Sequence, residues 1–221
     1  MINRLKYVRI VNMNFKQFLF ESSIFKNFNG KKVIVAYKLF NMINGKLYPL
    51  YVNAKKEIPL HKWIDAEIGP VISDGKNKGK IKTNGKLGGS VALRPGWHAG
   101  DHPVATHIGE PAKPKGKPAY RRDSEVWAEV YITAEIDYQD QANKNGTNKQ
   151  GKIIKKYADL DYIPKNGYYR YKTNSNMLGD WIIGGSMYVN RILNDDEVEE
   201  INKLDSEKDG IVYKDLPRKP L

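Results

Sequence analysis

Val126-Trp127-Ala128-Glu129-Val130-Tyr131-Ile132 decides the fold class. Val126, Ala128, Val130 and Ile132 fall on one side of the run and Trp127, Glu129 and Tyr131 on the other, the two-residue period of a strand with a face on a core. A second β-rich run lies upstream, Val33-Ile34-Val35-Ala36-Tyr37-Lys38-Leu39-Phe40, followed by Asn44-Gly45 and then Leu47-Tyr48-Pro49-Leu50-Tyr51-Val52. Asn-Gly between two such runs signals a tight hairpin, because the favoured turn needs positive φ at both central residues. Downstream, Gly167-Tyr168-Tyr169-Arg170-Tyr171-Lys172-Thr173-Asn174 and Trp181-Ile182-Ile183-Gly184-Gly185-Ser186-Met187-Tyr188-Val189 read as two further strands around a Gly-containing turn. A helix is written near the C-terminus, where Asn194 and Glu197 form a capping-box pair and Val198, Ile201 and Leu204 an apolar stripe. These elements predict an α+β, β-rich single domain with N-terminal and C-terminal helices.

Working outward, residues 1–30 read as an N-terminal helical extension, since Phe15, Phe18, Leu19, Phe25 and Phe28 approximate one helical face. Asn12, Asn14, Glu21, Ser22 and Ser23 favour a core-packing appendage over a membrane-surface helix. The main domain spans 31–205, and 206–221 is a tail expected to fray from Pro217. Two basic loops interrupt the domain, near 73–89 and 110–118. The first is almost wholly Gly, Lys and Asn, a composition that buries nothing and reads as flexible. The second is stiffened by Pro111, Pro114 and Pro118. Between them Arg94-Pro95-Gly96-Trp97-His98-Ala99-Gly100-Asp101-His102-Pro103 forms a compact knot, and loops pinned by rigid neighbours are where function collects. The polar segment 139–156 reads as a surface excursion.

The 221 residues contain no Cys, which excludes disulfides, thiolate nucleophiles and Cys-based zinc sites and fits a reducing cytoplasm. Phe18-Leu19-Phe20, the longest apolar run near the N-terminus, is too short for a signal or membrane segment, so no membrane partner is expected. A net charge of +12 attracts polyanions. The expected partner is an acidic macromolecule, either nucleic acid or a nucleic-acid-binding protein. Lys76, Lys78, Lys80, Lys82, Lys115, Lys117 and Arg121 are the candidate contacts. Arg170 and Tyr171 join them, because stacking aromatics interleaved with cations suit nucleic acid. Strand alternation allows only part of that platform, with Tyr169 and Tyr171 on one face and Tyr168, Arg170 and Lys172 on the other.

His98, His102 and His107 with Asp101 are metal-ligand types, but Gly96, Gly100 and Pro103 argue against a helix that would align them, and no metal is expected. No Gly-x-Ser-x-Gly, Walker A or Rossmann glycine pattern occurs. Nothing sets two of Glu129, Glu135, Asp159 and Asp161 across one cleft.

Tyr37-Lys38-Leu39-Phe40, Leu47-Tyr48-Pro49-Leu50-Tyr51-Val52-Asn53-Ala54, Arg94-Pro95-Gly96-Trp97-His98-Ala99-Gly100-Asp101 and the Tyr168–Asn174 run together resemble a family of phage and mobile-element proteins, over about Val33 to Glu200. That resemblance brings no established activity. More distantly, the order of parts is similar to the ADP-ribosyltransferase superfamily, which splits NAD and transfers ADP-ribose. It implies a split sheet, NAD as cofactor, modification of a host macromolecule and a location in the host cytoplasm. Carried over residue by residue, it sets Tyr37 and Lys38 in the first strand position, Gly96-Trp97-His98 in the second, Val126–Ile132 in the third and Asp180-Trp181-Ile182-Ile183 in the closing strand. Asp180 is then the catalytic carboxylate facing the ribose carbon, Lys38 or Arg94 holds phosphate, and Trp97 or a nearby Tyr stacks nicotinamide, with Tyr37 and His98 among the cofactor contacts. The chain departs from the family pattern in having Asp for the usual Glu and Lys38 for His or Arg. The alternative is a non-enzymatic basic protein that inhibits a host nucleic-acid enzyme or defence system, docking on it or on its nucleic acid through the lysine loops.

Overall fold

The alternating run is the spine of the sheet. A computed structural model describes residues 25–84, 88–105, 120–154, 157–173 and 177–218. Among these the strands are β1 (Phe25–Phe28), β2 (Lys31–Ile43), β3 (Lys46–Tyr48), β4 (Trp63–Asp65), β5 (Ile81–Asn84), β6 (Gly88–Val91), β7 (Trp97–Gly100), β8 (Glu125–Thr133), β9 (Ile136–Asp137), β10 (Gly167–Tyr171), β11 (Trp181–Gly184) and β12 (Ser186–Ile192). The helices are α1 (Gln139–Asn145) and α2 (Asp195–Asp209). The main sheet runs β4-β12-β8-β2-β7-β11-β10-β9, with β1 and β3 also paired to β2, and β5-β6 forms a separate ribbon. The architecture is α+β and mostly β. No described helix is long and apolar enough to cross a membrane.

β8 pairs antiparallel with β2 from Val33↔Thr133 to Asn41↔Glu125, so the two runs singled out in the sequence lie side by side. The Asn44-Gly45 turn is present, with φ of 51° and 75°, and joins β2 to β3. The sheet folds over on itself. Gly184 on β11 comes so close to Ile132 on β8 that a Cβ there would lie 2.1 Å from Ile132 Cγ2, although β2 and β7 separate those strands in the ladder. Inside the fold Ile34, Ala36, Phe40, Ala99, Val130, Ile132, Ile182 and Met187 make one core. Outside it, Leu193 and Val198 of α2 and the turn before it cover Leu39 and Trp127. The α1 region covers Tyr169, Tyr171, Trp181 and Ile183 through Ala142, Ala158 and Leu160.

Several expectations are corrected. Phe25 and Phe28 belong to strand β1, where Phe25 pairs with Ile34, and not to a helix; residues 1–24 lie outside the described residues. The single strand read over 181–189 breaks at Gly185, where the chain crosses from one half of the folded sheet to the other; a Cβ on Gly185 would sit 2.3 Å from the Pro164 carbonyl. The 73–89 stretch buries more than its composition suggests, because Ile81 and Thr83 are buried on the β5-β6 ribbon. The 110–118 loop lies outside the described residues. In α2 the capping box is present, but Leu204 is exposed and Asn202 is buried in its stead. Ala142 of the 139–156 excursion is fully buried. Residues 206–209 complete α2, and beyond it the tail folds back: Tyr213 is buried, Asp215 accepts from Ala105 N and Trp127 Nε1, and Arg218 bonds Asp195 at 2.6 Å.

Candidate binding cleft

β2 and β7 pair at a single position, Tyr37↔Gly100, and then diverge. This split opens a cleft of about 440 Å³, within the size range of small-molecule sites. Tyr37, Lys38, Arg94, Trp97 and His98 all line it, and so do Tyr51, Trp127, Tyr171 and Trp181. Each indole has its N–H satisfied: Trp97 Nε1 donates to Ile64 O at 2.8 Å, Trp127 to Asp215 Oδ2 at 2.8 Å and Trp181 to Thr173 Oγ1 at 2.9 Å. Ring faces are therefore what these side chains have left to offer. Trp97, Tyr37 and Tyr51 are half-buried, whereas Trp127, Tyr171 and Trp181 are buried and form the floor.

Lys38 bridges the split. Its Nζ donates to the His98 carbonyl at 2.6 Å, a role that backbone pairing plays where the strands run together, and lies 5.6 Å from the centroid of Trp97. Burial lowers its pKa to about 8, because an ammonium in an apolar wall loses hydration. His98 Nε2 lies 2.9 Å from Arg94 O; a carbonyl only accepts, so the proton sits on Nε2 and Nδ1 is the ring's acceptor. Burial, with the charges of Lys38 and Arg94, pushes His98 down to about 4, so the imidazole is neutral at pH 7. Arg94 Cζ lies over Tyr171, 4.2 Å from its centroid, and Arg94 Nε is 3.6 Å from Asp159 Oδ1. Two carboxylates also line the cleft: Asp65 accepts from Ser186 Oγ at 2.6 Å and Glu67 pairs with Lys56 at 2.6 Å.

Asp180 is not among the lining residues. Asp180 stands immediately before β11, beside Lys172 and Asp101. The Asp180 carboxylate sits 3.9 Å from Lys172 Nζ, while its backbone N–H donates to Asp101 Oδ2 at 2.7 Å. The two strands do lie side by side, with Trp181↔Gly100 and Ile183↔His98, but this carboxylate does not face the indole and imidazole across the groove.

The histidines weighed as metal ligands, for which no metal is expected, do not gather at the cleft. His98 faces the cleft, His102 is held against α2 with Nδ1 2.7 Å from Asp205 Oδ2, and His107 lies outside the described residues. Among the described residues no three His, Asp or Glu side chains converge as metal ligands. His102 stacks on Tyr213 at 3.8 Å and lies 3.7 Å from Asp101. Burial disfavours its cation, but the hydrogen bond to Asp205 and the charges of Asp101, Asp205 and Asp209 outweigh it, and its pKa is raised. Burial raises Asp101 to about 6.

No family model, curated protein or solved structure matches the chain. The resemblances therefore rest on the quoted motifs alone, and the site is read from its own geometry.

The basic candidates divide in the same way. Lys76, Lys78, Lys80 and Lys82 are exposed on the turn and ribbon whose Ile81 and Val91 form part of the cleft wall. Arg121 is corrected: its side chain is 3% exposed and pairs with Asp195 and Asp215, so it is an internal strut and cannot meet a partner. Tyr171 is buried under Arg94, and Arg170, on the opposite face of β10, is half-buried, so neither offers the open platform expected of them. Lys115 and Lys117 lie outside the described residues. The sequence reading missed Tyr51, Trp127 and Trp181 as lining residues. Alternation gave a signal for Trp127, on the Glu129 face of β8 and across from Leu39; only the register of β2 against β7 shows that this face meets the cleft floor.

Proposed function

We propose that the chain binds a nucleotide-type ligand, an aromatic ring carrying phosphate, in the cleft between β2 and β7. What carries this reading is the convergence in one cleft of half-buried rings, Trp97, Tyr37 and Tyr51, with the cations Lys38 and Arg94. Stacking on an exposed ring contributes roughly 1–3 kcal/mol per base, and a cation in a partly apolar wall attracts phosphate more strongly than one in open water. NAD belongs to this ligand class and is the member that the ADP-ribosyltransferase resemblance names. Lys38 and Arg94 would hold its phosphates and Trp97 its nicotinamide. The reading stops at binding, because Asp180 does not line the cleft and the lining Asp65 and Glu67 are already engaged. The exposed lysines Lys76, Lys78, Lys80 and Lys82 border the same cleft, which also suits a polynucleotide as the carrier of the bound nucleotide.

Three of the four tryptophans line the cleft, so intrinsic fluorescence reports occupancy. Titration with NAD and with AMP, checked by calorimetry, is expected to give saturable quenching that adenosine, lacking phosphate, reproduces only weakly. Arg94→Ala and Trp97→Ala should each raise Kd about tenfold, or about 1.4 kcal/mol. Absence of saturable binding by either nucleotide at millimolar concentration overturns the reading.

A further inference from the structure

Lys38 lies in the cleft wall between two aromatic rings. Among the described residues its Nζ meets no carboxylate within salt-bridge distance, and its hydrogen bond goes to the neutral carbonyl of His98. It lines the cleft, with the rings of Trp97 and Phe40 5.6 and 5.7 Å from the nitrogen. The exposed lysines Lys46 and Lys56 differ, each with an acidic partner within 2.7 Å, Glu57 and Glu67. An amine without a carboxylate partner in an apolar wall is the setting in which lysine works as a nucleophile, because no counter-charge holds it as the ammonium and the neutral amine keeps a lone pair while one N–H still donates.

We propose that the Lys38 amine condenses with the aldehyde of an open-chain sugar phosphate held in the cleft, forming an imine. This inference rests on the nucleotide-type reading for its ligand class: a nucleotide that has lost its base presents a sugar aldehyde, and with Lys38 as the amine, Arg94 is the lining cation left to hold the phosphate. The step balances without a co-reactant. The amine nitrogen adds to the carbonyl carbon, the C=O π electrons pass to oxygen, and the carbinolamine loses that oxygen as water. Overall, a protonated amine and an aldehyde give a protonated imine and water, with no change in charge. Depression of the amine to about 8 supports the reaction, since a substantial neutral fraction is then present near neutral pH. The rate should rise with pH and level off above about 8.

The same aldehyde chemistry has two sources, a free sugar phosphate and an abasic site within a nucleic acid, and the test separates them. The full chain is incubated with ribose 5-phosphate or with a single-stranded oligonucleotide containing one abasic site. Cyanoborohydride then reduces any imine, and peptide mass spectrometry locates the adduct. The expected result is an adduct concentrated on Lys38 with at least one probe. Lys38→Arg, which keeps the charge and a donor for the His98 carbonyl, should lower total adduct about tenfold; Lys38→Met serves as a second amine-free variant, and thermal melting verifies that each folds. Adduct with the oligonucleotide alone assigns the source to nucleic acid, and adduct with ribose 5-phosphate alone assigns it to a small molecule. Adduct spread over exposed lysines, or no adduct on Lys38 with either probe, overturns the proposal. If nucleotide titration succeeds and trapping fails, the nucleotide reading stands and this inference falls. If trapping succeeds without nucleotide binding, the amine chemistry stands and the nucleotide reading falls.

Discussion

His98 and His102 are four residues apart on β7 and its continuation, yet the fold shifts their titration in opposite directions, His98 downward and His102 upward. His98 sits between two cations and is bonded to a carbonyl, so its ring is neutral. His102 sits between two aspartates and on a tyrosine ring, so its positive form is favoured. The difference teaches where charge has been used up. On the His102 side each histidine and carboxylate described above has an opposite or hydrogen-bonding partner, and the cluster works as a clamp between β7 and α2. On the cleft side Lys38 lacks a carboxylate and His98 is kept uncharged, which leaves capacity for an anionic ligand. The largest test of this contrast is His102→Ala. Removing one member of a mostly buried charged cluster leaves the others uncompensated and should cost about 3 kcal/mol, read as a lower urea midpoint. Nucleotide affinity of the folded variant should be unchanged. A loss below about 0.5 kcal/mol would mean that the clamp contributes no more than an ordinary surface pair.

Proton linkage sharpens the same contrast. His98 has a folded pKa below its unfolded value, so the unfolded chain takes up its proton first and stability is lost as pH falls from 6.5 toward 4. His102 has a raised folded pKa, so its contribution is complete below the unfolded value and is lost as pH rises through the folded one. Asp101, raised to about 6, contributes stability at low pH that is lost as pH rises from 3.8 through 6, against His98 in the same window. The informative quantity is therefore the difference between wild type and variant. His98→Gln should remove about 2 kcal/mol of the acid-side loss between pH 6.5 and 4, a figure reduced from the full shift for the water that reaches the cleft. Parallel stability profiles for wild type and variant across that window would show that His98 does not stay neutral on acidification.

Much of this arrangement was legible before any coordinates, and the parts that were not share a cause. The β8 alternation, the Asn44-Gly45 turn and the Asn194–Glu197 capping box are local patterns, fixed by neighbours within a few residues, and each is present, although the strand after the turn, read to Val52, ends at Tyr48. The cleft residues from Arg94 to His98 stood out because a Trp, a His and an Arg packed among Gly and Pro have little reason to be there except geometry. What escaped was set by distant partners. Leu204 fitted a helical stripe, but α2 turns Asn202 inward to bond Pro103 O and presents Asp205 to His102, a choice made by residues about a hundred positions away. The break at Gly185 depends on Pro164 and Ile132, and the burial of Ile81 depends on how the ribbon lies along the cleft.

The smallest expected effect is the most decisive for the resemblance that named Asp180. If the carboxylate faced a ligand in the groove, Asp180→Asn would remove its charge at the reacting centre and change affinity or turnover sharply. Its position beside Lys172 and Asp101 predicts otherwise. Asn keeps the size and one acceptor oxygen, the Asp180 backbone N–H still donates to Asp101, and the Trp181 ring remains where β11 sets it. Nucleotide Kd should therefore stay within about 0.3 kcal/mol of wild type, while stability falls by about 1 kcal/mol through the weakened Lys172 contact and the partly unsatisfied amide. A tenfold change in Kd at unchanged stability would return Asp180 to the cleft and require its carboxylate to leave Lys172 when the ligand enters, because in this structure it stands outside the cleft lining.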